Sequence, residues 1–182
     1  WLEEYLHSYI SVLPYNELGA AAAAYNADEK ELCRLDEIYS AVKTPFEIRS
    51  GSEKVTRRFF KICNNGRESF TGLYKSLTEQ GICKGHQCIA YGLYMRDNGI
   101  ELSEGLAVYG YSICSAIVTN CVKLVPLSQL AGQKILGESF ELISSASEKA
   151  LFTDINDIGI SGAGFDLRAM QHERLYSRQY MS

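Results

Sequence analysis

A chain of 182 residues that is 46% hydrophobic and 22% charged can bury one sizeable core, and nothing in its composition calls for a second. Its net charge of -4 and pI near 5.5 exclude a partner gripped through nucleic-acid phosphates, because no basic block supplies the counterion release that such binding requires. Six cysteines, at positions 33, 63, 83, 88, 114 and 121, sit in helical-looking segments of a chain with no need of staples, and are read as reduced, mostly buried thiols.

The sequence opens at Trp1 with no initiator Met, basic leader or signal-like apolar run, and reads as a fragment that begins inside a helix. Trp1, Leu2, Tyr5, Leu6, Tyr9, Ile10 and Leu13 fall on one half of a helical wheel, opposite Glu3, Glu4, His7, Ser8 and Ser11. Pro14 suits the first turn of a second helix that runs through Leu18 and the five alanines Ala20 to Ala24, a stretch that invites close approach by a neighbour. Asp28 with Glu31 forms a capping pair for a third helix with Leu32, Leu35, Ile38, Tyr39 and Val42 as its apolar stripe, closed by Thr44-Pro45. A fourth helix spans Phe46 to Ile62 with a broad charged face and stops at Asn64-Asn65-Gly66.

RESFTGLYKSLTEQ (67–80) and HQCIAYGLYMRDN (86–98) give a fifth and a sixth helix, ended by Gly81 and Gly99. Gly105 to Val122 is uncharged throughout. Its length approaches that of a membrane span, about eighteen residues. Its glycines, serines, Thr119 and Asn120, with no anchoring flanks, instead predict a central helix buried on most sides, with Ser112, Ser115, Ala116 and Thr119 as a small-residue stripe for close helix packing. Pro126 breaks it, and Leu127 to Leu151 continues as one further helix. Residues 153–164, with Gly159, Gly162 and Gly164, form a flexible lead into the tail. No strand-like alternation and no internal repeat occurs, so the expected fold is all-α: a single domain over 1–182, about eight helices around a central buried helix, with a C-terminal tail segment.

Signs of catalysis are lacking. GISGAG (159–164) follows no strand and matches neither a P-loop nor a dinucleotide turn. His172 and Glu173 are adjacent, and neighbours on a helix point about 100 degrees apart, so they make no ready acid-base dyad. Cys83, His86 and Cys88 place two thiols and an imidazole within six residues, which makes them the candidate ligands for a zinc or nickel ion. The spacing matches no standard zinc ribbon and offers no fourth ligand, so packed cysteines and no cofactor are the expectation.

The tail FDLRAMQHERLYSRQYMS (165–182) is dense in Tyr, Arg, His and Glu. As a helix over 166–180 it would line up Arg168, His172, Tyr176 and Tyr180 in one row, and set Arg174 and Arg178 beside Met170 in another. Tyr and Arg dominate binding hot spots, so the tail reads either as a partner-facing element or as a helix folded back on its own bundle.

DLRAMQHERLYSRQYMS resembles the C-terminal signature of the UreF family of urease accessory proteins, and NCVKLVPLSQLAGQKIL (120–136) resembles another of its segments. Leu35-Asp36, His86 and Gly92 also sit where that family places such residues. The resemblance implies a cytoplasmic, all-α homodimer with no enzymatic activity. Its implied role is to bind the UreD (UreH) scaffold, recruit the nickel-carrying GTPase UreG and help deliver nickel to apo-urease, with a regulatory effect on GTP hydrolysis. Carried onto this chain, it marks Arg168, Met170, His172, Glu173, Leu175, Tyr176, Ser177 and Arg178 as partner-facing. For self-association the expected element is the long uncharged helix, through Tyr109 and Tyr111, which are more apolar surface than one helix needs to bury in its own subunit. The alternative is a metallochaperone that holds nickel itself through Cys83, His86 and Cys88. The family's usual N-terminal segment, rich in Phe, Pro and Gly, does not precede Trp1.

Overall fold

The computed structural model describes residues 1–63, 66, 68–159 and 162–176, and among these every regular element is helical. α1 (Leu2–Val12) buries Leu2, Leu6 and Ile10, successive members of one i, i+4 row, and leaves its acidic first turn in water. A short 3-10 turn at Leu13–Tyr15 carries Pro14 and hands the chain to α2 (Glu17–Asn26). The second helix therefore begins three residues after the proline.

α2 is buried on nearly all sides, through Leu18, Gly19, Ala20, Ala21, Ala22 and Ala24. Small side chains allow this. Its principal partner is α6 (Gln87–Asp97), which buries Cys88, Ile89, Ala90, Gly92, Leu93 and Met95. At Gly92 the two backbones come so close that a β-carbon would lie 2.2 Å from the Ala21 carbonyl oxygen. The innermost pair of helices is thus joined by backbone proximity, a contact available only to residues without bulk.

Around this pair the other helices are set by their caps. α3 (Glu29–Val42) starts with a full capping box, in which the Asp28 carboxylate accepts from the Glu31 amide at 2.8 Å and the Glu31 carboxylate accepts from the Asp28 amide at 3.0 Å. α4 (Phe46–Ile62) follows Pro45 and buries only Thr56 and Phe60. α5 (Phe70–Glu79) is capped by Ser69 and, from a distance, by Asp97 at the end of α6, whose carboxylate accepts from the amides of Phe70 and Thr71 at 2.9 and 2.8 Å. A carboxylate there opposes the positive end of the helix dipole.

α7 (Leu102–Leu124) is the longest helix, and by length and composition it is long and apolar enough to cross a membrane. It buries one face only, through Gly105, Leu106, Tyr109, Gly110, Cys114 and Val118. Ser112, Ala116 and Thr119 of the expected packing stripe are exposed, so the central position falls to α2 and α6, whose all-round small or apolar surfaces suit it better. The expected single helix over 127–151 is two, α8 (Gln129–Glu138) and α9 (Phe140–Ala150). They part at Ser139, which is buried, donates its hydroxyl to the Ile135 carbonyl at 2.8 Å and turns its amide to Leu136.

Much of the segment expected to be a loose lead is anchored. A 3-10 turn spans Ile155–Asp157, Ile158 is buried, and the Gly159 amide donates to the Tyr15 carbonyl at 2.8 Å. Gly159 holds φ at +106° against the Val42 side chain, a place open only to glycine. α10 (Ala163–His172) then closes the described fold, shorter than the predicted 166–180 and starting earlier. Asn64 and Asn65 of the predicted stop lie outside the described residues.

Gly92→Ala should lower the free energy of urea unfolding by about 3 kcal/mol, since the added methyl meets backbone rather than a movable side chain. An unchanged unfolding midpoint would show that α2 and α6 are not held at this separation.

Candidate functional sites

Three regions collect the residues singled out in the sequence. The first is a buried polar node beneath α3. Leu32, Leu35 and Tyr39 form the helix's core face, and Asp36 stands among them, 2% exposed. Its carboxylate accepts from the Tyr74 hydroxyl at 2.5 Å and from the amides of Lys84 and Gly85 at 2.7 and 3.0 Å. Tyr74 in turn accepts from the His86 amide at 2.8 Å, and His86 Nε2 meets the Ser40 hydroxyl at 2.8 Å. Gly85, at φ +88°, lets the chain turn both successive amides toward Asp36.

The node fixes rather than reacts. Burial, reinforced by the positive charges of Lys43 and Arg49 and only partly opposed by Asp36, holds the His86 imidazole down at about 4, so it is neutral at pH 7. Burial and the adjacent Asp36 carboxylate hold the Tyr74 phenol well above its ordinary range. Tyr74 and Ser40 are the members that sequence reasoning missed, because nothing local ties them to Asp36. Asp36 itself had a local signal: it occupies the same apolar stripe as Leu32 and Tyr39, where a carboxylate needs donors.

The proposed metal ligands do not converge. The Cys83 sulfur lies 3.9 Å from that of Cys33, and His86 Nε2 is taken by Ser40. Cys88 is buried against Tyr39, with its thiol pushed up to about 12 by burial. Among the described residues no group of three or more His, Cys, Asp or Glu side chains is arranged to hold a metal ion. The helix start at Gln87 and the turn at Gly85 send the side chains of Cys83, His86 and Cys88 to different neighbours.

The second region is the C-terminal helix. Phe165 inserts edge-on against Tyr5 and Tyr9, with ring centroids 5.2 and 5.4 Å away, and roots α10 on α1. At its other end His172 Nδ1 pairs with Glu47 Oε2 at 2.6 Å, and the Glu173 carboxylate accepts from the Glu47 amide at 3.3 Å. His172 and Glu173 thus both face α4 and do not face each other. Arg168 donates to Gln171 at 2.9 Å on the exposed side, and Met170 is half-buried. Leu175 is 53% exposed and Tyr176 fully so. Ser177 and Arg178 lie outside the described residues.

The third region is the outer face of α7 and α9. Tyr109 is buried and stacks on Tyr91 at 4.4 Å, whereas Tyr111 is 40% exposed and sets its edge against Phe140 at 5.6 Å. Phe140 is itself exposed, as is Val108, one turn before Tyr111 on the same helix. Tyr109 therefore braces the helix from within, and Tyr111 is the one of the two that reaches solvent.

The family whose model matches this chain is UreF, over residues 1–139. The urease accessory protein UreF of Actinobacillus pleuropneumoniae serotype 5b (strain L20) is 32% identical along the whole chain, which spans 82% of that protein. UreF of Paenarthrobacter aurescens (strain TC1) is 31% identical over 81% of this chain and 67% of its own length. UreF of Streptococcus thermophilus (strain ATCC BAA-491 / LMD-9) is 27% identical over the whole chain and 78% of its own length.

The node makes two predictions about stability. Asp36→Ala strands three donors in the core and should cost about 3 kcal/mol in urea unfolding, whereas Tyr74→Phe, which removes one hydroxyl, should cost about 1–2 kcal/mol. The second concerns pH. Because the folded imidazole of His86 titrates near 4, below its ordinary 6.5, the unfolded chain takes up the proton first. Its contribution is complete above about pH 6.5 and is lost as the pH falls toward 4. Unfolding free energies measured across that window should fall less steeply in His86→Asn than in the wild type; equal slopes would remove His86 as the cause.

Proposed function

Since the chain belongs to the UreF family of urease accessory proteins, we propose that it acts as a non-enzymatic adaptor in urease maturation. On this reading it binds the UreD (UreH) scaffold, recruits the GTPase UreG, influences GTP hydrolysis, and assists nickel insertion into apo-urease in the cytoplasm. The observation that carries the proposal is the end of α10. A helix rooted by Phe165 and by the His172–Glu47 pair leads to Leu175, which is half-exposed, and Tyr176, which is fully exposed. Large rigid side chains held out on an anchored stem are what a protein-binding hot spot needs, because little freedom is left to lose on association.

The same reading gives the outer face of α7 and α9 to self-association. Tyr111 with Phe140 against its edge, and Val108 one turn away on the same helix, make an exposed apolar group rather than scattered single residues. A two-fold copy laid on that face would bury it. The cytoplasmic setting is supported by six thiols that are all free, as in a reducing compartment. Against proton transfer at the polar node, burial holds the His86 imidazole down and the Tyr74 phenol up, both away from neutral pH.

Leu175→Ala with Tyr176→Ala, which leaves the root of α10 intact, should weaken co-purification with UreD by roughly tenfold or more. Deleting 166–182 should abolish it, and undiminished binding by the deleted form would overturn the adaptor reading. Tyr111→Asp should convert the protein to a monomer in sedimentation while leaving its melting temperature nearly unchanged; a persistent dimer would move the interface elsewhere.

A further inference from the structure

Cys33 and Cys83 stand fifty positions apart in sequence, yet their sulfurs lie 3.9 Å from one another. The approach is enforced by the polar node. Cys33 is one turn before Asp36 on α3, and Cys83 immediately precedes Lys84, whose amide, with that of Gly85, is bound to the Asp36 carboxylate. From the other side the Leu77 carbonyl accepts from the amides of Ile82 and Cys83 at 3.0 and 3.2 Å. The backbone on both sides of the contact is therefore fixed by hydrogen bonds that do not involve sulfur.

The two thiols differ in access. Cys83 is 2% exposed, whereas Cys33 is half-buried and lines an open hollow with Asp28, Glu29 and Lys30. We propose that Cys33 and Cys83 form a site of reversible oxidation, which a peroxide entering from that hollow closes into a disulfide between α3 and the 81–86 turn. The first step takes place at Cys33. Its thiolate attacks one peroxide oxygen, the O–O bond breaks, and Cys33 becomes a sulfenic acid as hydroxide leaves and is protonated to water. Cys83 then attacks the Cys33 sulfur: the S–S bond forms, the S–O bond breaks, and the departing hydroxide takes the Cys83 proton as a second water. Two thiols and one hydrogen peroxide give one disulfide and two waters, with the sulfurs losing the two electrons that the peroxide gains.

Burial, the Asp36 carboxylate and Cys33 itself push the Cys83 thiol up, so the first attack on peroxide falls to the more accessible Cys33. Closing the bond requires the sulfurs to approach from 3.9 Å to about 2.05 Å. Two other thiols are buried away from this pair. Cys88 is turned to Tyr39, and the Cys114 thiol, like that of Cys88, is pushed up to about 12 by burial.

The test uses the full chain, hydrogen peroxide in slight excess at pH 8, alkylation of the remaining thiols and tryptic digestion without reductant. The expected product is peptide 31–34 joined to peptide 76–84, each of which carries a single cysteine, with the free-thiol count falling by two and returning with dithiothreitol. The oxidised protein should also melt at a higher temperature than the reduced one, because the bond closes a long loop in the unfolded chain. Cys33→Ser and Cys83→Ser, checked for folding by circular dichroism, should each abolish the linked peptide. Thiols that resist oxidation, a Cys33 carried to sulfinic acid with no linked peptide, or a link from either residue to Cys63 or Cys121 would each overturn the proposal.

Discussion

One buried carboxylate ties together three segments of this molecule. Asp36 takes hydrogen bonds from a tyrosine on α5 and from two successive amides of the turn that leads into α6, so a single side chain on α3 joins three separate segments. An isolated charge in that position would cost several kcal/mol, and it is tolerated because three donors reach the carboxylate. The position of His86 at the start of α6, its contact with Ser40, and the approach of Cys83 to Cys33 all follow from where that turn is held.

The other constraint is steric. α2 and α6 are close enough for Gly92 to touch the Ala21 carbonyl, and this contact sets the spacing on which the remaining helices pack. A bundle centred on two small-residue helices needs less side-chain bulk at its middle, and it displaces the large apolar residues outward. That displacement explains why α7, the most apolar helix by composition, is only half covered within the chain. The face it leaves open meets α9 through Tyr111 and Phe140 and continues as surface.

The C-terminal helix combines both uses of an amphipathic segment. Phe165, His172 and Glu173 hold it to the body, and Leu175 and Tyr176, next along the chain, are exposed. Fold-back helix and exposed anchor therefore describe different stretches of one element.

By itself the sequence determined the helical class, most helix starts and the apolar stripes, because capping residues, helical periodicity and Gly or Pro stops act over a few neighbouring positions. It also determined family membership through motifs that are continuous in the chain. Only the tertiary structure decided that the alanine-rich α2 rather than the uncharged α7 lies at the centre, that Ser139 divides one expected helix into two, and that Tyr109 faces inward while Tyr111 faces out. It likewise separated Cys83, His86 and Cys88, which adjacency had grouped, and brought Cys83 to Cys33 and Tyr74 to Asp36, which adjacency had kept apart. The reason is range: local propensity fixes which face of a helix is apolar, but which neighbour covers that face depends on how closely distant backbones can approach, and here a glycine and a run of alanines settled it.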